Sequence, residues 1–176
     1  MVSIMASGLA KYPQITDFGE GYQTFLSALK ALCTALAKQV AKAGEGATKQ
    51  LECRVTGAKS APAAKTAAKS VICSSLVKAA MFGADANWGR VLCALGYAGV
   101  PIDVTGVTVS FESKAGRILV CEKGAGVDFD EEKAKQVLLE DEILIDVTLK
   151  DGDAEATAYG CDLTYDYVKI NGDYRT

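Results

Sequence analysis

The chain contains no histidine among its 176 residues. Histidine is the side chain that most often serves as a general base, activates a catalytic serine or cysteine, or binds a transition metal near neutral pH. Its absence excludes imidazole-based triads, histidine-ligated metals and histidine bases within this polypeptide. Any catalytic group that this chain itself contributes must therefore be of another kind.

Cysteine pairs with the spacing of a metal site are also missing. The six cysteines stand far apart in the chain and never form a Cys-x-x-Cys pair. This spacing is typical of neither a zinc site nor a small disulfide scaffold. We therefore expect no metal centre, and buried, reduced thiols in a reducing compartment. The six are Cys33, Cys53, Cys73, Cys93, Cys121 and Cys161.

The sequence has neither a basic stripe nor a long apolar run. Its formal net charge is −3, which argues against nucleic acid as a partner, because binding a phosphate backbone requires concentrated positive charge. Lysines interrupt the alanine-rich stretches, and the first residues lack the charged leader and apolar core of a signal peptide. We expect a cytoplasmic protein that binds neither membranes nor nucleic acid.

Helical and strand patterns alternate along the chain, and 49% of the residues are hydrophobic, enough to bury a core. Apolar spacing and capping residues predict four helices, at residues 23–43, 60–83, 87–97 and 130–139. Ser60 is expected to start the second of these helices, and Asp130 to cap the fourth. Short apolar or alternating runs predict strands at residues 1–8, 50–56, 107–111, 117–121, 143–149 and 153–159. The fold class is therefore α/β.

Two local signals refine this prediction. Asp85 can cap the helix at residues 87–97, because its side chain can accept from the free amides at the start of that helix. Asp151-Gly152 is typical of a two-residue hairpin turn. Residues 153–159 should therefore pair antiparallel with the strand that precedes the turn.

The end of the chain, residues 162–176, is rich in tyrosines and carboxylates. Tyrosine buries a ring while its hydroxyl keeps a hydrogen bond, so this stretch is expected to be held against the protein. It can be a strand at the edge of a sheet, or a tail that delivers Asn171 and Thr176 to a site.

Chemistry-bearing residues concentrate in the motif GEGATK, residues 44–49. Glu45 lies between two glycines, whose backbone can approach a ligand closely, and Thr48 and Lys49 follow as donors. The motif lacks the spacing of a phosphate-binding loop and stands after a helix rather than before one. On local grounds alone, an ordinary helix C-cap is the alternative interpretation.

Two further glycine-containing motifs carry less chemical information. FGADANWGR, residues 82–90, contains the only tryptophan and predicts a tight turn with a packed anchor. Gly124-Ala125-Gly126 lacks the strand-to-helix order of a dinucleotide site. We assign neither motif a ligand.

Four separated motifs occur in an order that resembles the ornithine acetyltransferase family, also called the bifunctional glutamate N-acetyltransferases of arginine biosynthesis. They are GEGATK, RVTGA at residues 54–58, FGADANWGR, and GCDLTYDYVKING at residues 160–172 with the closing YRT. The resemblance extends from about Val2 to Thr176 and corresponds to the greater part of the family's β segment.

The resemblance implies a fold of three parts. Residues 1–50 would be a remnant of a layered αββα catalytic domain of the N-terminal-nucleophile type. Residues 51–160 would form a smaller roll-like α+β domain with a mostly antiparallel sheet. Residues 161–176 would return to the substrate site.

The resemblance also implies a ping-pong acyl transfer, in which a threonine hydroxyl takes the acetyl group of N-acetylornithine as an ester and passes it to glutamate. That threonine becomes a new N-terminus when the protein cuts itself, and its α-amine then serves as a base. The nucleophile and the family's α segment, which supplies oxyanion-hole donors, are expected outside this chain. The chain alone is therefore expected to be inactive, and it contributes no catalytic residue.

Three positions match substrate-contacting positions of the family: Glu45, Asn171 and Thr176. A site that accepts ornithine and glutamate in turn needs a carboxylate together with adaptable donors and acceptors. Lys49 and Tyr167 are expected to lie beside these residues and to support them, without contacting the substrate directly. No cofactor is implied, and the residues leave open whether acetyl-CoA also serves as an acetyl donor.

Two function classes stay open at this point. The chain can be the C-terminal portion of the acetyltransferase, or a module that binds amino acids or assembles with a partner without chemistry. If residues 1–8 form a strand whose neighbours lie elsewhere, its uncovered edge favours a homo-oligomer.

Overall fold

The computed structural model describes residues 3–173. Its helices are α1 (Glu20–Lys42), α2 (Ala61–Cys73), α3 (Ser75–Phe82), α4 (Trp88–Gly96), α5 (Glu131–Leu138) and α6 (Tyr165–Asp173), with a 3-10 turn at Val104–Gly106. Its strands are β1 (Gln50–Ala58), β2 (Thr108–Ser113), β3 (Gly116–Glu122), β4 (Ala125–Gly126), β5 (Glu142–Thr148) and β6 (Ala154–Cys161). Two compact units divide the chain, residues 1–36 and residues 37–176. The predicted division at residues 50 and 160 stays a prediction.

The strands form one six-stranded mixed sheet in the order β4-β3-β2-β5-β1-β6. Strands β1 and β5 are parallel, with Cys53 opposite Ile145, and the other neighbours are antiparallel. The predicted α/β class and the mostly antiparallel sheet are therefore confirmed.

The core lies on one face of this sheet. In β1, Leu51, Cys53 and Val55 are fully buried, and the residues between them are more exposed, as the strand period of two requires. Phe111 and Ile145 continue the same buried layer on neighbouring strands. Helix α2 packs against β1 and β6 from this side.

Serine side chains determine where α2 and α3 begin. Ser60 caps α2 as predicted, by accepting from the amide of Ala63 at 3.3 Å. The single helix predicted over residues 60–83 is wrong, because Ser74 has extended backbone angles and divides it. The Ser74 hydroxyl accepts from the amide of Val77 and so starts α3.

The predicted cap of α4 is also wrong. Asn87 is the N-cap residue, and its side-chain oxygen accepts from the amide of Arg90 at 3.2 Å. The Asp85 carboxylate instead accepts from the side-chain amide of Asn87 at 3.0 Å. Asp85 therefore orients the cap without being the cap.

The hairpin predicted at Asp151-Gly152 does not form. The amides of both residues donate to the carbonyl of Gly57 at 2.9 Å, which carries the chain past β5. Strand β6 therefore pairs antiparallel with β1, and β1 lies between β5 and β6. A two-residue turn makes a hairpin only when the two strands it joins are neighbours in the sheet. Here β1 lies between β5 and β6.

The strand predicted at residues 1–8 is wrong over the part that the structure describes. Residues 3–8 have no strand partner, and Ile4 and Met5 are 70% and 95% exposed. An apolar run alone does not make a strand, because a strand needs a partner for its backbone hydrogen bonds. The argument for self-association through that strand loses its basis, and a homo-oligomer stays a prediction.

All six cysteines are free thiols. Cys53 and Cys121, on strands, are buried, and burial raises the pKa of the Cys53 thiol far above its ordinary value. Cys33, Cys73 and Cys93 lie on helices and are exposed, so the expectation of buried thiols is wrong for these three. Over residues 3–173, no helix combines the length and apolar character needed to cross a membrane.

Candidate functional site

The GEGATK loop, residues 44–49, packs against the segment that joins β6 to α6. Asp162 lies at the centre of this contact and is 3% exposed. Its Oδ1 accepts from the amides of Thr48 and Lys49 at 2.9 and 3.0 Å, and its Oδ2 accepts from the Thr48 hydroxyl. In return, the Asp162 amide donates to the Lys49 carbonyl at 3.2 Å. One buried carboxylate thus accepts three hydrogen bonds from the loop.

A second contact involves Thr164, which is 4% exposed. Its hydroxyl accepts from the amide of Tyr167 at 3.1 Å, as a helix N-cap does, and donates to the carbonyl of Gly46 at 2.6 Å. The residue that starts α6 therefore also holds the loop.

The two glycines of the motif allow this close approach. Gly46 has φ +66°, a conformation that favours glycine, and a Cβ there would lie 2.7 Å from the backbone nitrogen of Tyr167. A Cβ at Gly44 would lie 2.6 Å from the sulfur of Cys161. Gly46 is thus required where the loop packs against α6, and Gly44 where it packs against the end of β6.

Glu45 and Asn171 meet on the outer side of this contact. Asn171 Nδ2 lies 2.8 Å from Glu45 Oε2 and also donates to the carbonyl of Tyr167 at 2.9 Å. Both side chains are exposed. The pair is a carboxylate at the surface with an uncharged donor against it, an arrangement that a cationic group can enter. Its role in binding stays a prediction, and Thr176 lies outside the described residues.

The tyrosine-rich end is not an edge strand over its described residues, because Tyr165–Asp173 forms α6. That it delivers Asn171 and Thr176 to a site stays a prediction. Tyr165 and Tyr167 are 82% and 44% exposed, so the expected burial of their rings is wrong. Tyr165 packs edge-on against Phe82 with ring centroids 5.5 Å apart. Tyr174 lies outside the described residues.

Lys49 points away from Glu45 into the protein and is 9% exposed. Its ammonium donates to the carbonyls of Met81 at 2.7 Å and Leu138 at 2.6 Å, near the ends of α3 and α5. Helix C-termini favour cations in this way. Burial lowers the pKa of Lys49, against the opposing charge of Asp162. Lys49 is therefore a buried support of the loop.

The FGADANWGR motif is the packed turn that the sequence predicted. Trp88 packs against the core, and its ring fills the space where a Cβ of Gly126 would lie. The Gly124-Ala125-Gly126 motif thus accommodates the tryptophan. Ala84, in the turn itself, has φ 51°.

Sequence reasoning missed Asp162 and Thr164 as parts of the site. The signal that could have found them is the pattern Asp-Leu-Thr before a tyrosine-rich helix, because threonine at that position is a typical N-cap. The sequence analysis predicted no helix after Thr164, and a threonine is recognised as an N-cap only when a helix is expected to follow it.

The family model described as ArgJ family matches residues 1–176. Arginine biosynthesis bifunctional protein ArgJ 1 of Clostridium acetobutylicum is 50% identical over 176 residues, which are all of this chain and 43% of that protein. Arginine biosynthesis bifunctional protein ArgJ of Symbiobacterium thermophilum is also 50% identical, with the same coverage. The crystal structure of arginine biosynthesis bifunctional protein argJ from Bacillus halodurans superposes with a TM-score of 0.91 at 42% identity, over 98% of this chain and 79% of that one. The chain thus spans less than half the length of the curated relatives.

Proposed function

Because the chain belongs to the ArgJ family, as its four motifs predicted, we propose that it is the C-terminal portion of an acetyltransferase of arginine biosynthesis. In this proposal the whole protein moves an acetyl group from N-acetylornithine to glutamate. The relatives are named as bifunctional proteins of arginine biosynthesis, and the chain corresponds to 43% of their length. The remaining sequence would carry the nucleophile.

The Glu45 and Asn171 pair supports this proposal most directly. The Asn171 amide donates to the Glu45 carboxylate at 2.8 Å. The ammonium of ornithine is a stronger, charge-assisted donor to a carboxylate than an amide is. It would take the place of Asn171 beside Glu45, and the freed amide can then donate to a substrate carboxylate or accept through its oxygen. Thr176 would complete the substrate contacts.

The chemical steps would belong to groups outside the chain. A threonine hydroxyl attacks the acetyl carbonyl of N-acetylornithine, the C–N bond breaks, and ornithine leaves as an amine that takes a proton. The amine of glutamate then attacks the threonine ester, and the hydroxyl is restored. The base is the α-amine of that threonine. No cofactor enters these steps, and use of acetyl-CoA as a second donor is a separate proposal.

Residues 3–36 carry several exposed apolar side chains, which supports a contact with sequence outside this chain. Met5, Leu9, Tyr12 and Phe18 are each at least 80% exposed. Four large apolar side chains exposed within one short stretch of chain are consistent with a segment that another part of the protein covers. We propose that the remaining sequence of the whole protein covers it.

The test compares this chain, the whole protein, and the whole protein with Glu45→Ala. Each is mixed with N-acetylornithine carrying a labelled acetyl group and with glutamate, and labelled N-acetylglutamate is measured. Transfer by the whole protein, and none by the chain alone, is the expected result. Absence of transfer by the whole protein, with glutamate binding by this chain in calorimetry, would favour the non-catalytic binding module. A parallel reaction with labelled acetyl-CoA tests the second donor.

A further inference from the structure

Asp162 has no direct contact with the Glu45 and Asn171 pair, yet it links the two parts of the chain that carry them. It is 3% exposed and accepts three hydrogen bonds from Thr48 and Lys49. Glu45 stands three residues before Thr48, and α6 begins three residues after Asp162. The carboxylate therefore lies between the loop that carries Glu45 and the helix that carries Asn171.

We propose that Asp162 is a positioning residue of the substrate site, which holds the GEGATK loop against α6 so that Glu45 and Asn171 act as one pair. This proposal rests on the proposed function, because the pair is the substrate-binding element there. Asp162 itself touches no substrate in this proposal.

Hydrogen-bond geometry supports this role. A buried carboxylate that accepts two amides and a hydroxyl fixes both the position and the direction of the backbone that donates to it. Thr164 adds a further link through its hydroxyl, which donates to the Gly46 carbonyl at 2.6 Å. Asp162 and Thr164 therefore contact the loop on both sides of Ala47 and hold the loop that carries Glu45 to the segment from which α6 begins.

Hydrogen bonding also explains why an aspartate stands at this position. The amides of Thr48 and Lys49 and the Thr48 hydroxyl present three donors to Asp162. An ionised carboxylate has only acceptors, so it can satisfy all three at once. An asparagine replaces one acceptor oxygen by an NH2 group. Either it faces the amides, and those hydrogen bonds are lost, or it faces Thr48, and the Thr48 hydroxyl must accept instead of donate.

The structural arm of the test uses this chain, labelled with nitrogen-15. The side-chain amide resonances of Asn171 are compared with and without Glu45→Gln, first in the parent chain and then with Asp162→Asn. We expect Glu45→Gln to shift these resonances in the parent and not in the Asp162→Asn background. The control is Asp146→Asn, which also removes a buried carboxylate, 6% exposed, but one that pairs with arginines on the sheet. An equal shift in all three backgrounds would overturn the proposal.

The kinetic arm uses the whole protein and two substitutions at Thr48. Thr48→Val removes the hydroxyl that donates to Asp162 and keeps the shape, whereas Thr48→Ser keeps the hydroxyl. We expect Asp162→Asn and Thr48→Val to raise KM for both substrates about tenfold, with a smaller change in kcat. The displaced Glu45 and Asn171 pair would lose about one charge-assisted hydrogen bond to the substrate, which corresponds to that factor. Thr48→Ser should restore KM, and Asp146→Asn should leave KM unchanged.

The two arms separate the ways in which the proposal can fail. Folded Asp162→Asn and Thr48→Val variants with the parent KM would overturn the positioning role. If the whole protein transfers no acetyl group, the proposed function fails, and the resonances of Asn171 still decide whether Asp162 couples the pair. If Asp162→Asn folds poorly in either arm, Thr48→Val and Thr48→Ser test the same contact from the loop side.

Discussion

The side-chain amide of Asn171 lies 2.8 Å from the carboxylate of Glu45, although 126 positions separate the two residues in the sequence. The sheet explains this proximity. Gln50, at the start of β1, is opposite Cys161, at the end of β6. The segment before β1 and the segment after β6 therefore leave the sheet at the same end of these two strands, and Glu45 and Asn171 lie on those segments.

Removal of the Glu45 carboxylate should impair activity far more than stability. Glu45 is an exposed loop residue, and such residues contribute little to folding, so Glu45→Ala should change the free energy of unfolding by less than about 0.5 kcal/mol. Loss of a charged partner for the substrate should lower kcat/KM for N-acetylornithine about 10- to 100-fold. Steady-state kinetics of the whole protein and urea unfolding of this chain measure the two quantities.

Glu155→Ala is the matched control for this prediction, because Glu155 is another exposed carboxylate, on β6. It should change neither quantity. Equal kinetics of the Glu45→Ala variant and the parent would remove Glu45 from the site.

Gly46→Ala should destabilise the chain through two separable effects. Its φ of +66° is unfavourable for alanine, and the new Cβ would lie 2.7 Å from the Tyr167 nitrogen. Gly99 has φ +76° with open space around it, so Gly99→Ala measures the conformational effect alone, about 1 kcal/mol. We expect Gly46→Ala to cost more than about 2 kcal/mol in urea unfolding. Equal costs for the two variants would show that the loop moves away from α6 freely.

Local patterns predicted those parts of the fold whose causes are local. The alternation in β1 and the caps at Ser60 and Asp130 depend on neighbouring residues, and each is confirmed. The hairpin at Asp151-Gly152 failed for the opposite reason. Its turn chemistry is compatible with a hairpin, but the pairing was decided by β1, about a hundred residues earlier in the chain, which took the place beside β5.

The residues of the candidate site were predicted only through the family resemblance. Glu45 and Asn171 were selected by their motifs, and the contact between them follows from the pairing of β1 with β6, which periodicity could not show. Asp162 was not predicted, because a buried carboxylate is recognised by its partners and those partners are distant in sequence. Lys49 was predicted only as a neighbour of the substrate-contacting residues, and its contacts with helix ends could not be inferred without the positions of α3 and α5.

Acid should weaken the chain through Asp146. Arg54 Nε lies 3.0 Å from one carboxylate oxygen and Arg117 Nη2 lies 2.8 Å from the other. Burial of the carboxyl raises its pKa, but the hydrogen bonds and charges of both arginines outweigh burial, and the pKa lies below its ordinary value. The unfolded chain then binds the proton more tightly. The stability that Asp146 contributes is therefore present above about pH 4 and is lost as pH falls through the lowered pKa.

Urea unfolding of the parent and of Asp146→Asn, from about pH 6 to about pH 2, measures this effect. The difference in the free energy of unfolding between the two should decrease as pH falls below about 4. Arg117→Gln removes one of the two cations and should move the decrease to higher pH. A difference that stays constant over the whole range would contradict the assignment.

Lys49→Met should destabilise the chain, because the ammonium satisfies carbonyls near the ends of two helices while its stem is buried. Methionine keeps most of the packing and loses the hydrogen bonds, at a cost of about 1–3 kcal/mol.

Burial lowers the pKa of Lys49 from 10.5, so the unfolded chain holds more protons between the lowered pKa and that value. The stability of the parent relative to Lys49→Met should therefore rise with pH in this window. Urea unfolding measures it, with Lys65→Met, at an exposed lysine of α2, as the control. A relative stability that falls as pH rises would contradict the lowered pKa and show that the helix carbonyls bind the ammonium more strongly than burial opposes it.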